Sequence, residues 1–489
     1  MISLSAFSDS IYRSTFSGGC MRRHRVFLSI ALVVVVGIFG TMVVLQRMPT
    51  MTHAASSGDY PMFLGNLTHS GDNTNETIIN PSTAHSLALA WKFTAGIGIV
   101  SSPVVVGGVL YFGAWDGYEY AVNISTHQQI WKQYLGITQQ TKVCYGGHVG
   151  VSSTASVSNN VVYVGGGDGN IYALDAQNGS VLWKQFLGAP PYYIWSSPAV
   201  YNNRVYIGTA AFCDPPGVQG KLFAFTTSNG RLAGTFDVIP NGQTGPTITS
   251  SPAIDPTTNR IFVTTGNLGT INGVQNPAAQ PYGEAFVALN AKTLNVVDHW
   301  QIPVADMGGD ADFITSPTLF NAHGVGYIGA SNKNGYYYVL NRNNLAAGSV
   351  WKYYLDGKVP ASLTPEDNDA AACFNNGVLY VAGGIVNGGA GKPATYGSIH
   401  AFNPATGAQS WGFTTIGIIQ SSLSCTGNGL VVDVQGSTVE VRNASSGSVL
   451  FHYTLGNHIQ ATPVISNGTL YVASRDGSVY AFTVNGTTP

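Results

Sequence analysis

Apolar and polar positions alternate along this chain in short runs, and the runs return in groups of four. The clearest group extends over Ser196–Phe225, where Ser-Ser-Pro-Ala-Val is followed by a polar pair, Arg-Val-Tyr-Ile-Gly, a loop and Lys-Leu-Phe-Ala-Phe. Seven further openings of this kind are Ser101-Ser102-Pro103, Ser152-Ser153-Thr154, Ser250-Ser251-Pro252, Thr315-Ser316-Pro317, Ala371-Ala372-Cys373, Ser421-Ser422-Leu423 and Ala461-Thr462-Pro463. A repeat of about 40 to 65 residues built from short β-strands is typical of propellers and solenoids.

Each unit divides into four predicted strands. The first is apolar on both faces, as in Val104-Val105-Val106, which suits the innermost strand of a blade. Several of the turns are Asp-Gly or Asn-Gly pairs, such as Asp116-Gly117, which supply the positive φ of a type I′ hairpin. The fourth strand carries a large ring at Trp131, Trp183, Trp300, Trp351, Trp411 or Phe451. We interpret these rings as architecture that packs against the neighbouring blade, not as a cofactor-binding motif.

The two ends of the chain complete one another. The last unit, Ala461–Val484, supplies only three strands, whereas Leu87–Thr94 precedes the first opening without a unit of its own. We predict that these ends pair, which removes the exposed sheet edges, with Asp59–Asn66 lying just ahead of the closing strand. The predicted fold is therefore all-β, an eight-bladed β-propeller of four-stranded blades over residues 59–486.

Composition agrees with this fold. The 489 residues include 60 Gly, 25 Tyr and 21 Phe, and only 9% are charged, a balance that favours strands and tight turns. The net charge of −2 gives no reason to expect a nucleic-acid partner.

One segment lies outside the repeat. Val26–Leu45 contains no charged residue and is long enough to span a bilayer. Three arginines precede it and Arg47 follows it, so the positive-inside rule predicts a cytoplasmic leader over 1–25, a transmembrane anchor over 26–45 and a linker over 46–58. The propeller would then lie on the extracytoplasmic side of the cell membrane. A signal segment cleaved near Ala54-Ala55 is the alternative, and it would give a secreted propeller.

Cysteine usage fits export. Cys144, Cys213, Cys373 and Cys425 lie after the apolar segment, an even number compatible with two disulfides. Cys144 and Cys213 fall in loops of neighbouring blades on one face, where a disulfide between them is plausible. Cys373 and Cys425 fall in adjacent innermost strands and are either paired or buried small hydrophobes. No Cys-x-x-Cys-His haem attachment sequence occurs.

Strand direction predicts one functional face. Loops that enter the innermost strand and loops that join the second and third strands open on the same side of a blade. The irregular insertions collect there, at 134–151, 210–220, 267–282, 306–314 and 387–396. Long loops on one rim of a rigid scaffold are where function is expected.

The repeat and these loops resemble the quinoprotein dehydrogenases, which bind pyrroloquinoline quinone with calcium in an eight-bladed propeller. The resemblance covers the alcohol and polyvinyl-alcohol dehydrogenases of that family. It also extends to non-catalytic relatives such as the propeller lipoprotein of outer-membrane protein assembly. The repeat therefore indicates the fold more strongly than the activity.

Three segments carry the resemblance further. Arg260–Asn267 is similar to the family strand that ends in Thr-Gly-Asn, which implies that Asn267 is a calcium ligand. Asp310-Ala311-Asp312-Phe313 is similar to the acidic stretch with the catalytic base. This implies that Asp310 or Asp312 is catalytic and that Asp310 also contacts the metal. Each segment also has an ordinary interpretation, as a strand-ending turn or as solvated loop aspartates.

The third segment, Ser331–Arg342, resembles the stretch whose lysine contacts the quinone oxygens. The resemblance assigns cofactor binding to Lys333 and its neighbour Asn334, because a cation there would stabilise charge on the reduced cofactor. The ordinary interpretation is a lysine in a turn.

Blade three departs from the family. Where a glutamate ligand of calcium is expected before Gly-Val-Arg-Gly, this chain reads Cys213-Asp214-Pro215-Pro216-Gly217-Val218-Gln219-Gly220. Pro215 stands in the place of the glutamate, which leaves Asp214 as the adjacent candidate metal ligand. The vicinal cysteine pair of the alcohol-oxidising members is also absent.

Two functions follow from this sequence. One is a dehydrogenase that oxidises an alcohol, polyol or sugar with pyrroloquinoline quinone and Ca²⁺ and passes electrons to an external acceptor. The alternative is a non-catalytic propeller scaffold that binds proteins or cell-surface polymers.

Overall fold

The computed structural model describes residues 58–140, 147–213, 217–240, 243–271, 274–307, 310–355, 369–383, 397–417 and 419–487. Within these ranges eight sheets, each built on four antiparallel strands, form the blades of an all-β propeller, and two of these sheets gain a short fifth strand. The four strands follow sequence order in every blade except the eighth, whose outermost strand comes from the start of the propeller. The predicted fold class is confirmed.

The strands of the first four blades are as follows. Blade one contains Val104–Val106, Val109–Gly113, Tyr118–Asn123 and Gln129–Tyr134. Blade two contains Ser156–Ser158, Val161–Gly165, Asn170–Asp175 and Val181–Phe186. Blade three contains Ala199–Tyr201, Arg204–Ala211, Lys221–Thr226 and Leu232–Asp237. Blade four contains Ala253–Asp255, Arg260–Thr264, Ala285–Asn290 and Val296–Gln301.

The other four blades continue this order. Blade five contains Thr318–Ala322, Val325–Ser331, Tyr336–Asn341 and Ser349–Tyr354. Blade six contains Cys373–Asn375, Val378–Gly383, Gly397–Phe402 and Gln409–Thr415. Blade seven contains Ser424–Thr426, Leu430–Gln435, Thr438–Asn443 and Val449–Thr454. Blade eight contains Val464–Ser466, Thr469–Ser474, Ser478–Val484 and Leu87–Thr94.

Short elements decorate the blades. The accessory strands are Asp72–Asn73 and Tyr192–Tyr193 and the pairs Thr138–Gln140 with Gly147–Val149 and Thr270–Ile271 with Val274–Gln275. The 3-10 turns of the described ranges are Ala84–Ser86, Pro277–Ala279, Val304–Asp306 and Leu345–Ala347.

The propeller closes as the sequence predicts. Leu87–Thr94 pairs antiparallel with Ser478–Val484, so that Leu87 lies opposite Val484 and Trp91 lies opposite Ala481. This closing strand is the outermost strand of blade eight, and it joins the first and last parts of the chain in one sheet.

The tryptophans of the outer strands join neighbouring blades. Trp131 of blade one donates its indole N–H to the carbonyl of Ala176 in blade two, at 2.9 Å. The ring also lies against Gly179, where a Cβ would stand 2.7 Å from the indole. The same indole-to-carbonyl bond joins Trp183 to Thr227, Trp351 to Pro404 and Trp411 to Ala444. The architectural interpretation of these rings is confirmed.

Hydrogen bonds between the repeated openings connect six pairs of neighbouring blades around the central channel. The Ser102 N–H donates to Thr154 Oγ1 at 2.8 Å, and the Thr154 N–H donates to Ser197 Oγ at 3.0 Å. Equivalent bonds join the backbone N–H of one opening to the side-chain hydroxyl of the next, from Ser197 to Ser251, from Ser251 to Ser316, from Ala371 to Ser422 and from Thr462 to Ser102. Each link connects one blade to the next, so the opening motif has a structural role in every blade that carries it.

These bonds correct the register of two openings, those of blades two and six. In blade six the N–H that donates to the next blade belongs to Ala371, so the opening is Ala370-Ala371, one residue earlier than predicted. Ser101 Oγ accepts the Gly113 N–H and Ser196 Oγ accepts the Gly208 N–H. In blade two the equivalent acceptor of the Gly165 N–H is Ser153. The opening there is therefore Ser153-Thr154, one residue later than predicted, because three consecutive hydroxyl residues allow either register in the sequence.

Residues 58–73, the channel-floor segment, contact innermost strands around the propeller. Tyr60 exchanges both backbone hydrogen bonds with Val105 of blade one. Further carbonyls of the segment accept backbone N–H groups from Val157, Ile254, Leu319, Phe374 and Cys425. In blade eight, Asn73 Nδ2 donates to the Ile465 carbonyl at 2.9 Å. The stretch predicted to lie ahead of the closing strand thus runs along the inside of the propeller.

The cysteine alternatives are resolved in part. Cys373 and Cys425 form a disulfide between the innermost strands of blades six and seven, with their Cα atoms 6.2 Å apart. Cys213 is also disulfide-bonded, while Cys144 lies outside the described residues.

The predicted membrane anchor over 26–45 also lies outside the described residues. In the part of the chain that is described, no helix is long and apolar enough to cross a membrane.

Candidate functional site

A cavity of about 490 Å³ occupies the central channel. The second residues of the openings line its wall, and Phe63 of the channel-floor segment also contributes. The hydroxyl residues that the openings contribute in this way are Ser102, Thr154, Ser197, Ser251, Ser316, Ser422 and Thr462. The volume lies within the range of small-molecule and cofactor sites.

One part of the wall is aromatic. Trp195 and Phe212 of blade three stack with their ring centroids 5.6 Å apart, and both line the cavity beside Cys213. Flat apolar rings of this kind suit a planar ligand. Trp195 is not among the site residues predicted from the sequence. The available signal was its place directly before an opening motif, where no other unit carries a tryptophan.

A cluster of charge lies two blades away, at the entry to blade five. Lys333 Nζ lies 3.0 Å from Asp312 Oδ1 and 3.1 Å from Asp310 Oδ2. Asp312 and Lys333 line the cavity. The side chain of Asp312 is 4% exposed, whereas that of Asp310 is 45% exposed. The structure therefore brings together two of the three segments that carried the resemblance.

The third segment joins them through Asn267. Its Nδ2 donates to Asp310 Oδ1 at 2.7 Å, while its Oδ1 is buried and has no hydrogen-bond partner among the described residues. Burial alone would raise the pKa of Asp310, but the Lys333 charge and the Asn267 hydrogen bond outweigh it and hold that pKa below its usual value. Asp310 is therefore ionised at neutral pH.

Glu284 is an acidic residue near this cluster and is not among the site residues predicted from the sequence. The residue is 3% exposed, and its Oε1 accepts the Leu268 N–H at 3.4 Å. Burial, with a smaller contribution from the charge of Asp310, raises its pKa to about 7. The signal in the sequence was a glutamate directly after Gly283, at the end of a loop, in a chain of which only 9% is charged.

Asn334 is engaged in its own turn. Its Nδ2 donates to the Tyr338 hydroxyl at 2.8 Å and to the Asp306 carbonyl at 3.1 Å, and its Oδ1 accepts the Tyr336 N–H. The aspartates of the Asp-Gly turns make similar bonds, as Asp168 does with Tyr172. A cofactor contact of Asn334 stays a prediction, and its observed contacts are those of a turn residue.

Asp214 and Pro215 lie outside the described residues. The predicted metal contact of Asp214 therefore stays a prediction. Gln219, which follows in the same segment, donates its Nε2 to the Ile239 carbonyl at 2.8 Å.

The oxygens near Asn267 fit a calcium ion. Amide and carboxylate oxygens are the ligands that this hard cation takes, and both Asn267 Oδ1 and Glu284 Oε2 are buried without a hydrogen-bond partner in the described ranges. No group of three His, Cys, Asp or Glu side chains there could hold a metal by itself. A cation would therefore depend on the amide oxygen and on ligands from a cofactor or water.

Comparison with known proteins gives the family. The family model for the β-propeller domain of glucose, ethanol and alcohol dehydrogenases, designated PQQ, matches residues 69–367. The chain belongs to this family. A second family model, for the outer membrane protein assembly factor BamB, matches residues 395–488.

Quinone-dependent relatives share modest identity with this member of the family. The quinohemoprotein alcohol dehydrogenase ADH IIB of Pseudomonas putida is 26% identical over 67% of this chain and 52% of its own length. The dehydrogenase subunit of the alcohol dehydrogenase (quinone) of Gluconacetobacter polyoxogenes is 23% identical over 83% of this chain and 70% of its own length. The chain thus spans about half of the first relative.

Solved structures share the fold. A europium-containing methanol dehydrogenase superposes with a TM-score of 0.72 at 17% identity, covering 88% of this chain and 98% of that chain. BamB from Moraxella catarrhalis superposes with a TM-score of 0.56 at 14% identity, covering 81% and 99%. Similarity at these identities shows that the chain shares the propeller fold. The activity has to be inferred from the residues of the site.

Proposed function

We propose that this chain is a quinoprotein dehydrogenase that oxidises an alcohol, polyol or sugar with pyrroloquinoline quinone and Ca²⁺. The observation that carries the proposal is the contact of Lys333 with Asp310 and Asp312 at the cavity wall, with Asn267 bonded to Asp310. The resemblance had implied a separate role for each of these segments. Their contact with one another beside the cavity, whose wall includes Asp312 and Lys333, supports a common site.

The charged residues suit this chemistry. When bound, pyrroloquinoline quinone supplies a two-electron acceptor and calcium supplies a Lewis acid. Asn267 and Asp310 would hold the cation through their oxygens, and Lys333 would hold the quinone oxygens and balance negative charge there. Trp195 and Phe212 would flank a planar ring from blade three.

Asp312 is the better candidate for the proton acceptor. Its carboxylate lines the cavity and is buried, whereas Asp310 is half-exposed and bonded to Asn267. A substrate hydroxyl within hydrogen-bond reach of Asp312 could pass its proton to a carboxylate oxygen of that residue. The electrons would leave through an external acceptor.

A titration tests the proposal. Full-length protein in detergent is titrated with pyrroloquinoline quinone in the presence of Ca²⁺ and followed by absorbance and calorimetry. Saturable binding in about the micromolar range is expected, and Lys333→Ala and Asn267→Ala should weaken it. Lys352→Ala is the matched control. Lys352 belongs to blade five, as Lys333 does, and it also pairs with an aspartate, Asp306, but it does not line the cavity.

Absence of saturable binding would overturn the enzymatic proposal. Binding that is unaffected by Lys333→Ala would overturn the assigned site but not the cofactor. If Asp312→Asn abolishes substrate oxidation while quinone binding persists, its role as the base is supported. Loss of oxidation in Asp310→Asn alone would transfer that role to Asp310.

A non-catalytic scaffold is the second candidate. The match of residues 395–488 to BamB favours it, as do exposed apolar side chains such as Leu182 and Phe186 on the outer strand of blade two. Surface patches of this kind suit contacts with proteins or polymers. The scaffold proposal gains support if the protein takes neither quinone nor Ca²⁺.

We also propose an extracytoplasmic location with an uncleaved membrane anchor, on the strength of Val26–Leu45 and its flanking arginines. Membrane fractionation together with the intact mass tests this location. A soluble species that begins near Ala54-Ala55 would instead indicate a cleaved signal.

A further inference from the structure

Glu284 closes the loop that begins at Asn267 in blade four. Its N–H donates to the Gly266 carbonyl at 2.9 Å, and its own carbonyl accepts the Ile302 N–H at 3.1 Å. Its φ is 48°, in the left-handed region that a glutamate rarely adopts. The backbone thus holds Glu284 beside the residues that lead into Asn267.

The loop itself is held by a buried glutamine. Gln280 Oε1 accepts the Gly269 N–H and its Nε2 donates to the Gly269 carbonyl, both at 2.8 Å. Because both groups of the amide are satisfied by one residue of the loop, the backbone after Asn267 has a defined path.

The carboxylate of Glu284 lacks an ordinary partner. Oε1 accepts the Leu268 N–H, while Oε2 is buried with no hydrogen-bond partner among the described residues. The ion pairs of the described ranges do not include Glu284. A buried carboxylate in this position is costly unless a proton or a cation neutralises it.

A second buried oxygen without a partner lies on the residue before Leu268. Asn267 Oδ1 accepts no hydrogen bond in the described ranges. The amide bonds to Asp310 through its Nδ2. The Glu284 carboxylate is thus linked to the residue after Asn267, and Asp310 bonds to the Asn267 amide. Carboxylate and amide oxygens are donors that Ca²⁺ prefers.

We infer that Glu284 is a ligand of the divalent cation, together with Asn267 and Asp310. Blade four would then supply the carboxylate that the blade-three segment lacks at Pro215. The inference rests on the proposed function, because that function brings the cation to Asn267.

Calcium binding without quinone tests the inference. The full-length protein is titrated with CaCl₂ by calorimetry, and thermal unfolding is followed with and without Ca²⁺. The isosteric change Glu284→Gln should lower the calcium affinity about tenfold or more and remove the rise in unfolding temperature that Ca²⁺ produces. Glu284→Asp, which keeps the charge but shortens the side chain, should give an intermediate affinity.

Glu119→Gln is the matched control. Glu119 lies in blade one, is fully buried, and has two carboxylate oxygens without a hydrogen-bond partner in the described ranges. Because Glu119 belongs to a strand of blade one and not to the blade-four loop that contains Asn267, calcium affinity should be unchanged in this variant. An equal loss in Glu119→Gln and Glu284→Gln would overturn the inference, because buried carboxylates would then act without a local site.

The remaining outcomes separate the inference from the proposed function. Wild-type calcium affinity in Glu284→Gln, with loss in Asn267→Ala, overturns the inference and leaves the proposed function standing. Calcium binding that depends on Glu284 in a protein that takes no quinone supports the inference and overturns the proposed function. If calcium binds only with quinone present, the same variants are compared with quinone. Absence of calcium binding under both conditions overturns the inference.

Discussion

The ammonium nitrogen of Lys333 lies 3.0 Å from the carboxylate of Asp312, and both residues line the central cavity. Asp312 is 3% exposed, so its charge is removed from solvent, and Lys333 compensates it. A buried pair of this kind costs stability when one partner is lost, because the other charge is left uncompensated.

Lys333→Met should therefore destabilise the protein as well as weaken cofactor binding. We expect the free energy of unfolding at neutral pH to fall by about 3–5 kcal/mol, measured by denaturant titration. Lys221→Met is the control, because its partially exposed pair with Asp237, at 2.9 Å, should cost less than about 1 kcal/mol. Equal losses in the two variants would contradict a special role for Lys333 in the cavity wall.

The contact of Gly179 with Trp131 gives a second prediction. Gly179→Ala places a Cβ 2.7 Å from the indole at a φ of 74°, so both overpacking and backbone strain oppose it. We expect a loss of about 2–4 kcal/mol in unfolding free energy. Gly108→Ala has a similar φ of 79° but nothing within 4 Å of its Cβ, and should cost only about 1 kcal/mol. A larger loss in Gly108→Ala would refute the packing argument.

The burial of His69, in the channel-floor segment, leads us to predict that the protein loses stability in acid. Burial lowers its pKa to about 4 from the ordinary 6.5, and its Nδ1 contacts the Pro317 carbonyl at 3.2 Å. The His69 imidazole therefore becomes protonated below pH 6.5 in the unfolded chain but only below about pH 4 in the folded protein. Stability from this group is present above pH 6.5 and is lost as the pH falls to 4, by up to about 3 kcal/mol.

The test compares unfolding free energies at pH 7, 5.5 and 4. His69→Gln should show a smaller loss over this interval than the wild-type protein. His85→Gln changes an exposed histidine and should follow the wild-type curve. If His69→Gln does so too, the acid sensitivity arises elsewhere.

The disulfide between blades six and seven predicts an effect on stability. Cys373 and Cys425 are 52 residues apart in sequence, so the bond restricts a long loop of the unfolded chain. Replacing both by alanine should lower the unfolding free energy by about 2–5 kcal/mol. The measurement is made without reductant, so that the disulfide at Cys213 stays intact. Unchanged stability would show that the bond adds little to the packing of these strands.

The strands were predictable because each depends on its own residues. Val109–Gly113 and Leu87–Thr94 begin and end where the pattern of apolar residues and turns predicts. The opening of blade two was displaced by one residue, since Ser152, Ser153 and Thr154 are chemically alike. Only the bond from the Gly165 N–H to Ser153 distinguishes the two registers.

The site was predictable in part. Asn267, Asp310, Asp312 and Lys333 were selected by resemblance, and the structure brings them together. Glu284 and Trp195 were missed because their local signals, a glutamate at the end of a loop and a tryptophan directly before an opening, do not indicate what these side chains contact. Their positions near the cluster or on the cavity wall depend on how loops of blades three, four and five approach one another.

The sequence by itself determined the eight units, their four strands and the closure of blade eight, because periodicity and turn chemistry are local properties of the chain. Tertiary structure alone decided that residues 58–73 run along the innermost strands, that Trp195 and Lys333 share one cavity, and that Asn267 and Glu284 keep buried oxygens without partners. The physical reason is that burial and hydrogen-bond partnership arise from contacts between segments far apart in sequence, which no local pattern encodes.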